Sequence, residues 1–189
     1  ITGYGKAQDE HTKTLGESIA KASEAKTEVN ALAAEYQTLA DKVNPTANEQ
    51  NRLAEISNQL HKLYPDLTQE TINLATANGT LAEKVNEAAK AQAKKNLEDY
   101  VNAKNQIILA KSSSLSAALR LAENGQPGSG VVNRAKQDAE RLKRELVELS
   151  NDIVKATSAY YQAWEKPDSN KTMITVPGGS NTGSSISDY

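Results

Sequence analysis

From Val132 to Ala163 the apolar residues keep one rhythm, and that rhythm restricts the chain more than any other feature. Val132, Ala135, Ala139, Leu142, Leu146, Leu149, Ile153, Ala156, Tyr160 and Ala163 are spaced by alternating steps of three and four. That spacing places every one of them on a single stripe of a helix, and a strand would scatter them over both faces. A stripe this narrow must be covered by another helix. The flank carries favourable charge pairs, among them Lys136–Glu140, Glu140–Arg144 and Arg141–Glu145. Pro167 stops the pattern.

The rest of the chain has the same character with more interruptions. Leu15, Ile19, Ala22, Lys26, Val29, Ala33, Tyr36, Ala40 and Val43 form a second seam, which predicts one helix from about Gln8 to Val43. Lys26 interrupts this seam. Residues 1–7, with two glycines, read as a frayed start. Asn44-Pro45 ends the helix. Thr46 and Glu49 then have the spacing of a capping box, and Leu53, Ile56, Leu60 and Leu63 share the following helical face. A short proline turn between two apolar stripes predicts an antiparallel αα-hairpin.

Tyr64-Pro65-Asp66-Leu67 breaks the chain again. Thr68, with Asp66 as a rival, can cap a short helix in which Leu67 and Ile72 form a hydrophobic staple. Asn78-Gly79 is a helix stop, and Thr80 with Glu83 predicts a second capping box. A long helix is expected from Leu81 to about Glu123, loosened or bent at Ser112-Ser113-Ser114. Residues 124–130, Asn-Gly-Gln-Pro-Gly-Ser-Gly, form the clearest linker. The expected organisation is therefore a helical hairpin over 1–67, a short and a long helix over 68–123, a linker over 124–130, the heptad-patterned helix over 131–166, and a flexible Gly/Ser-rich tail over 167–189. A β-like stretch at Met173–Val176 of that tail could dock on a neighbour. The fold class is all-α: long helices and αα-hairpins with coiled-coil-like packing. The chain begins at Ile1 rather than Met, and so reads as a piece of a longer protein.

Composition agrees with helices that meet along narrow stripes. Aromatic residues make up 4% of the chain, Phe is absent and Trp164 is the single tryptophan. With 22 basic and 24 acidic residues, the charge balance points to neither nucleic acid nor an anionic membrane surface as partner. There is no cysteine, which removes thiolate chemistry and disulfides. The apolar run Ile107-Ile108-Leu109-Ala110 is far shorter than a membrane span.

No catalytic, cofactor-binding or metal-binding residues are expected. His11 and His61 lie on separate helices, neither with a second ligand at metal spacing. No nucleophile elbow, zinc-binding helix motif, dinucleotide fingerprint or calcium loop is present, and the glycines after Val176 lack the lysine of a phosphate loop. Asn78 and Asn170 match the glycosylation acceptor pattern, the first with a capping role as well. Lys84, Lys90, Lys94 and Lys95 sit among Glu83, Glu87 and Glu98 and read as a solvated face. The residues expected to do the work are those of helix packing: Tyr36, Leu39, Leu53, Ile56, Leu60, Leu142, Leu146, Leu149, Ile153, Tyr160 and Trp164. Tyr160, Tyr161 and Trp164 form either a packed helix end or an anchor for a partner. The partners this predicts are further helices, from the same chain or a second copy.

One stretch is more specific. Tyr36, Leu39 and Lys42 fit a Y-x-x-L-x-x-K helix end. Asn44, Thr46, Glu49, Gln50 and Leu53 fit an N-x-T-x-x-E-Q-x-x-L turn, and Leu60, Leu63, Tyr64 and Pro65 an L-x-x-L-Y-P close. In this order, over about residues 34–67, they resemble a recurrent hairpin in the tail tape measure proteins of tailed bacteriophages and prophages. The resemblance implies a virion structural protein, and no motif of an enzymatic domain is found in this segment. Such a protein packs inside the growing tail tube, sets its length, and contacts the tube and tail assembly proteins. It implies location in the virion tail lumen, and in the host cytoplasm during assembly. A generic coiled-coil scaffold or surface adhesin stalk is the alternative that the stripes alone allow, and a membrane-active helical bundle is a third.

Overall fold

The computed structural model describes residues 2–165, with side chains from Glu10 onward. The tail expected over 167–189, its Met173–Val176 stretch and Asn170 lie outside the described residues. Six helices and no strands are found among those described: α1 (Thr2–Ala20), α2 (Ala22–Ala40), α3 (Ala47–Leu63), α4 (Gln69–Ala77), α5 (Leu81–Asn124) and α6 (Gly130–Trp164). The all-α class is as the periodicity requires.

α5 and α6 form the spine. At 44 residues, α5 is about 66 Å long. It is helical through Ser112–Ser114, the stretch expected to be loosened or bent. Ser114 donates to the Ala110 carbonyl and Ser116 to that of Ser112, so the hydroxyls bond within the ladder without interrupting it. After Asn124 the chain reverses through Gly128, whose φ of 78° suits glycine, and Ser129 caps α6 by accepting from the Val132 amide. α6 then returns antiparallel to α5. Lys104 Nζ lies 2.9 Å from Asp152 Oδ2, Lys111 Nζ 2.5 Å from Glu145 Oε2, and Lys90 Nζ 3.4 Å from Glu165 Oε1. As the position on α5 rises, the partner on α6 falls by a matching amount, which is the mark of an antiparallel register.

The predicted single helix over 8–43 is two helices. Lys21 leaves helical geometry at φ −91° and ψ 9°, and α1 and α2 meet there as a bent rod. Hydrogen bonds from Lys21 N to Glu17 O and from Ala25 N to Lys21 O carry the chain through the bend. The two halves dock at different places. α1 places Leu15 and Ile19 against Tyr100 of α5 and Ala156 of α6, while α2 places Val29, Ala33 and Tyr36 against Leu81, Val85 and Ala89 of α5. Residues 2–7, expected to fray, are helical from Thr2. Propagation from a packed second half costs far less than nucleating a new turn, even with glycines in it. Gly16 has its own reason: a Cβ there would stand 3.1 Å from Tyr100 Cε2, so its absence lets α1 approach α5 closely. At the other end α2 stops at Ala40, and Val43, assigned to the seam, is 93% exposed beyond it.

α3 folds back antiparallel on α2. The capping box forms as the spacing predicts, with Glu49 N donating to Thr46 Oγ1 and Thr46 N to Glu49 Oε2. Thr68, not Asp66, caps α4, and both staple residues, Leu67 and Ile72, are buried. α4 ends in a Schellman motif. Gly79, at φ 69°, donates to the Thr76 carbonyl, and Thr80 donates to that of Ala75. This explains why the second capping box is absent. The Thr80 amide that Glu83 would need is already bonded to Ala75 O, and the Thr80 hydroxyl turns to the same carbonyl. The residue therefore closes α4 instead of capping α5.

The main core joins α2, α3, α4 and α5, with Ile56, Leu60, Ile72, Leu81, Val29 and Val85 the largest fully buried side chains. Replacing Ile56, 0% exposed, by alanine is expected to lower the unfolding free energy by about 3 kcal/mol, through lost burial and the cavity left behind. Val43→Ala should change it by less than about 0.5 kcal/mol. Urea denaturation of the two variants checks both values, and equal effects would mean that this core is placed wrongly.

Candidate helix-packing site

The residues singled out for packing divide between two places. Tyr36, Ile56 and Leu60 are buried in the main core, with Leu39 and Leu53 half-buried against it. Leu142, Ile153 and Tyr160 are buried along α6, while Leu146 and Leu149 remain half-buried. Trp164 bridges the two groups, because it lies at the end of α6 yet packs against the main core.

Lys26 makes that bridge possible. In the sequence it interrupts a seam. In the fold its ammonium donates to the Ala163 carbonyl at 2.9 Å and lies 5.3 Å from the centre of the Trp164 ring. A cation at a helix C-terminus meets the negative end of the dipole, and the indole face adds a second attraction. α2 is thus fastened to the last turn of α6. The aromatic cluster at this end divides accordingly. Tyr160 and Trp164 belong to the packed helix end, while Tyr161 meets the Tyr160 ring edge-on, centroids 5.6 Å apart, and keeps one side in solvent.

Polar contacts set the register. Arg52 grips Glu35 through two bonds, Nε to Oε1 at 2.7 Å and Nη2 to Oε2 at 2.9 Å, which lowers the pKa of the Glu35 carboxyl. Asn86 donates to Asn30 Oδ1 at 2.6 Å across α5 and α2. Ser57 donates to Gln69, whose amide reaches the Tyr36 hydroxyl at 3.4 Å. His61 Nδ1 donates to the Leu67 carbonyl at 3.0 Å, closing the turn between α3 and α4. His11 is exposed on α1. Among the described residues no group of three or more His, Asp or Glu side chains could hold a metal ion.

A groove of about 450 Å³ runs between α1, α5 and α6, lined by Gly16, Tyr100, Lys104, Ile107, Asp152 and Lys155, among others. Lys104 is its most enclosed charge. Burial disfavours its ammonium, but the bond to Asp152 and the neighbouring Tyr100 outweigh that and raise its pKa overall. The groove's central charges therefore satisfy one another. Of the expected lysine patch, Lys84 pairs with Glu87 and Lys90 with Glu165, so the face carries both signs.

Several of these contacts could not be found by periodicity. Lys26, Gly16, Lys104 and Lys111 matter through partners far away in the chain, and only a register would have identified them. The heptad step from Lys104 to Lys111, matched by that from Glu145 to Asp152, was the available signal.

The Glu49 carboxyl is pulled down to about 2, first by Lys42, then by the amide and hydroxyl of Thr46. A carboxylate whose folded pKa is depressed contributes stability above its unfolded value near 4.5 and loses it as pH falls toward 2. The stability difference between the native protein and Glu49→Gln should be largest near neutrality. It should shrink between about pH 4.5 and 2, a modest effect since the group is exposed to solvent. Urea titrations of both proteins across that window test this; a gap independent of pH would refute it.

No family model, no curated protein and no solved structure matches the chain.

Proposed function

We propose that this chain is a structural segment of a tail tape measure protein, acting in tail length determination and tail assembly through helix packing inside the tube. The observation that carries this is the stretch 34–67. Several of its motif residues build a capped hairpin: Thr46 and Glu49 make the box, and Tyr36 and Leu60 are buried together with Ile56 of the same stretch. The segment works by length, packing and contact with tube and assembly proteins, without chemistry of its own. It resides in the tail lumen of the virion, and in the host cytoplasm before assembly.

A coiled-coil scaffold or adhesin stalk is the second reading, favoured by the long regular stripe of α6. A membrane-active bundle has less to support it. Among the described residues no helix is long and apolar enough to cross a membrane.

Tail length distinguishes these readings. In a phage carrying the gene, in-frame removal of residues 2–164 should shorten the tail by about 245 Å if the helices run end to end in the tube. The shortening should be about 66 Å if they remain a bundle as long as α5. Tails of unchanged length, measured by electron microscopy, would exclude the length-setting role. Labelled protein found only on a cell surface would favour the stalk.

A further inference from the structure

The two halves of the bent rod are held unequally. α2 is tied to its neighbours by the two-point grip of Arg52 on Glu35, by Asn86 on Asn30, by Gln37 on the Thr76 carbonyl and by Lys26 on that of Ala163. In α1, Ser18 accepts from Asn96 Nδ2 at 3.3 Å. The ion pairs around α1 stay on their own side of the contact. Lys13 of α1 pairs with Glu17 one turn on, and Lys104 pairs with Asp152 within the hairpin. The apolar hold on α1 is that of Leu15 and Ile19, 8% and 3% exposed, against Tyr100 and Ala156. The buried residues of the main core all lie beyond Lys21. The groove of about 450 Å³ runs through this contact, with Thr12, Gly16 and Ala20 on one wall and Tyr100, Ile107 and Ala156 on the other. Side chains beside open volume forgo part of their dispersion contacts.

We propose that α1 is a strap that leaves its seat on its own, by a local opening that ends at Lys21, while the main core and the α5–α6 hairpin stay folded. Lys21 already departs from helical geometry, so the boundary between the parts exists in the closed form. Once released, α1 is a 19-residue helix with glycine at positions 3, 5 and 16. A helix of that length without tertiary cover is marginal in water, and each interior glycine weakens it further, so the free strap melts. Opening strands no charge, because Lys104 and Asp152 both belong to the hairpin and remain paired. α2 does not follow, since its polar ties and its buried Val29, Ala33 and Tyr36 lie beyond the boundary. Opening bares Tyr100, Ile107 and Ala156, which the strap partly covers when closed. Gly16 sets the fit of the closed form, as a Cβ there would meet Tyr100 Cε2 at 3.1 Å. This proposal does not rest on the tape measure reading.

Backbone amide hydrogen exchange of the full chain, read residue by residue by NMR, tests it. In the native chain the amides of Leu15–Ala20 should be protected, but at least about tenfold less than those of Val29–Tyr36. Ile19→Ala removes apolar hold from the strap and should lower α1 protection at least about tenfold further. Gly16→Leu obstructs the seat and should do the same, although leucine favours a free helix. In both variants protection of Val29–Tyr36 should stay within about twofold of native, and Trp164 fluorescence should be unchanged. The native comparison alone decides the matter if either variant fails to fold. Equal protection of α1 and α2 in the native chain overturns the proposal, because the rod then opens as one piece. No protection of α1 overturns it as well, because the strap is then not seated. So does a variant in which α1 and α2 lose protection together, or in which neither changes.

Discussion

The antiparallel register of α5 and α6 is the constraint on which the other helices depend. The heptad-spaced pairs Lys104–Asp152 and Lys111–Glu145 mark it, and the buried stripe of α6 supplies its area. Partly exposed ion pairs contribute at most about 1 kcal/mol each, so they select the alignment more than they hold it. Once the hairpin is aligned, the surfaces offered to α1 and α2 follow. Tyr100 and Ala156 come level and receive Leu15 and Ile19, and the start of α5 comes level with the end of α6, where α2 is fastened by Lys26. A slip of a few residues would leave both sites unmatched.

Burial carries the other end of the molecule. Six side chains in the main core are almost wholly removed from water, and each contributes roughly 1.5–3 kcal/mol relative to exposure. The polar contacts around them act differently. Asn86 bonding Asn30 and Gln69 bonding Tyr36 each link helices that apolar contact alone would let slide. Small residues do comparable work through space. Gly16 admits α1 to the Tyr100 ring, and Ala33, Ala75 and Ala89 let helices approach in a chain poor in aromatics. Low aromatic content is therefore matched by close helix packing.

The helices, their caps and the α2–α3 turn were legible because the signals are local. Thr46 and Glu49 need only each other, and Leu67 and Ile72 are five residues apart. What escaped was non-local. The bend at Lys21 reflects where α1 and α2 dock, which no periodicity within them reveals. Thr80 had the spacing of a cap but lost its amide to the preceding helix. Lys26 looked like a flaw in a seam because its partner lies 137 residues away. The packing residues were read from the sequence only as apolar positions. Which helix each would meet was hidden, since a stripe records that a helix will be covered and not by what.

The attachment of Lys26 to the end of α6 also bears on the order of folding. α2, α3, α4 and the start of α5 hold their core within residues 29–89, so this part can consolidate while later residues are still being made. The seat of Lys26 cannot form until Ala163 and Trp164 exist. Contacts of such long separation carry a large loop-closure cost and form late. Lys26 waits for the last turn of α6, and the single tryptophan stands at that junction. The indole is thus a native reporter of the step that closes the bundle.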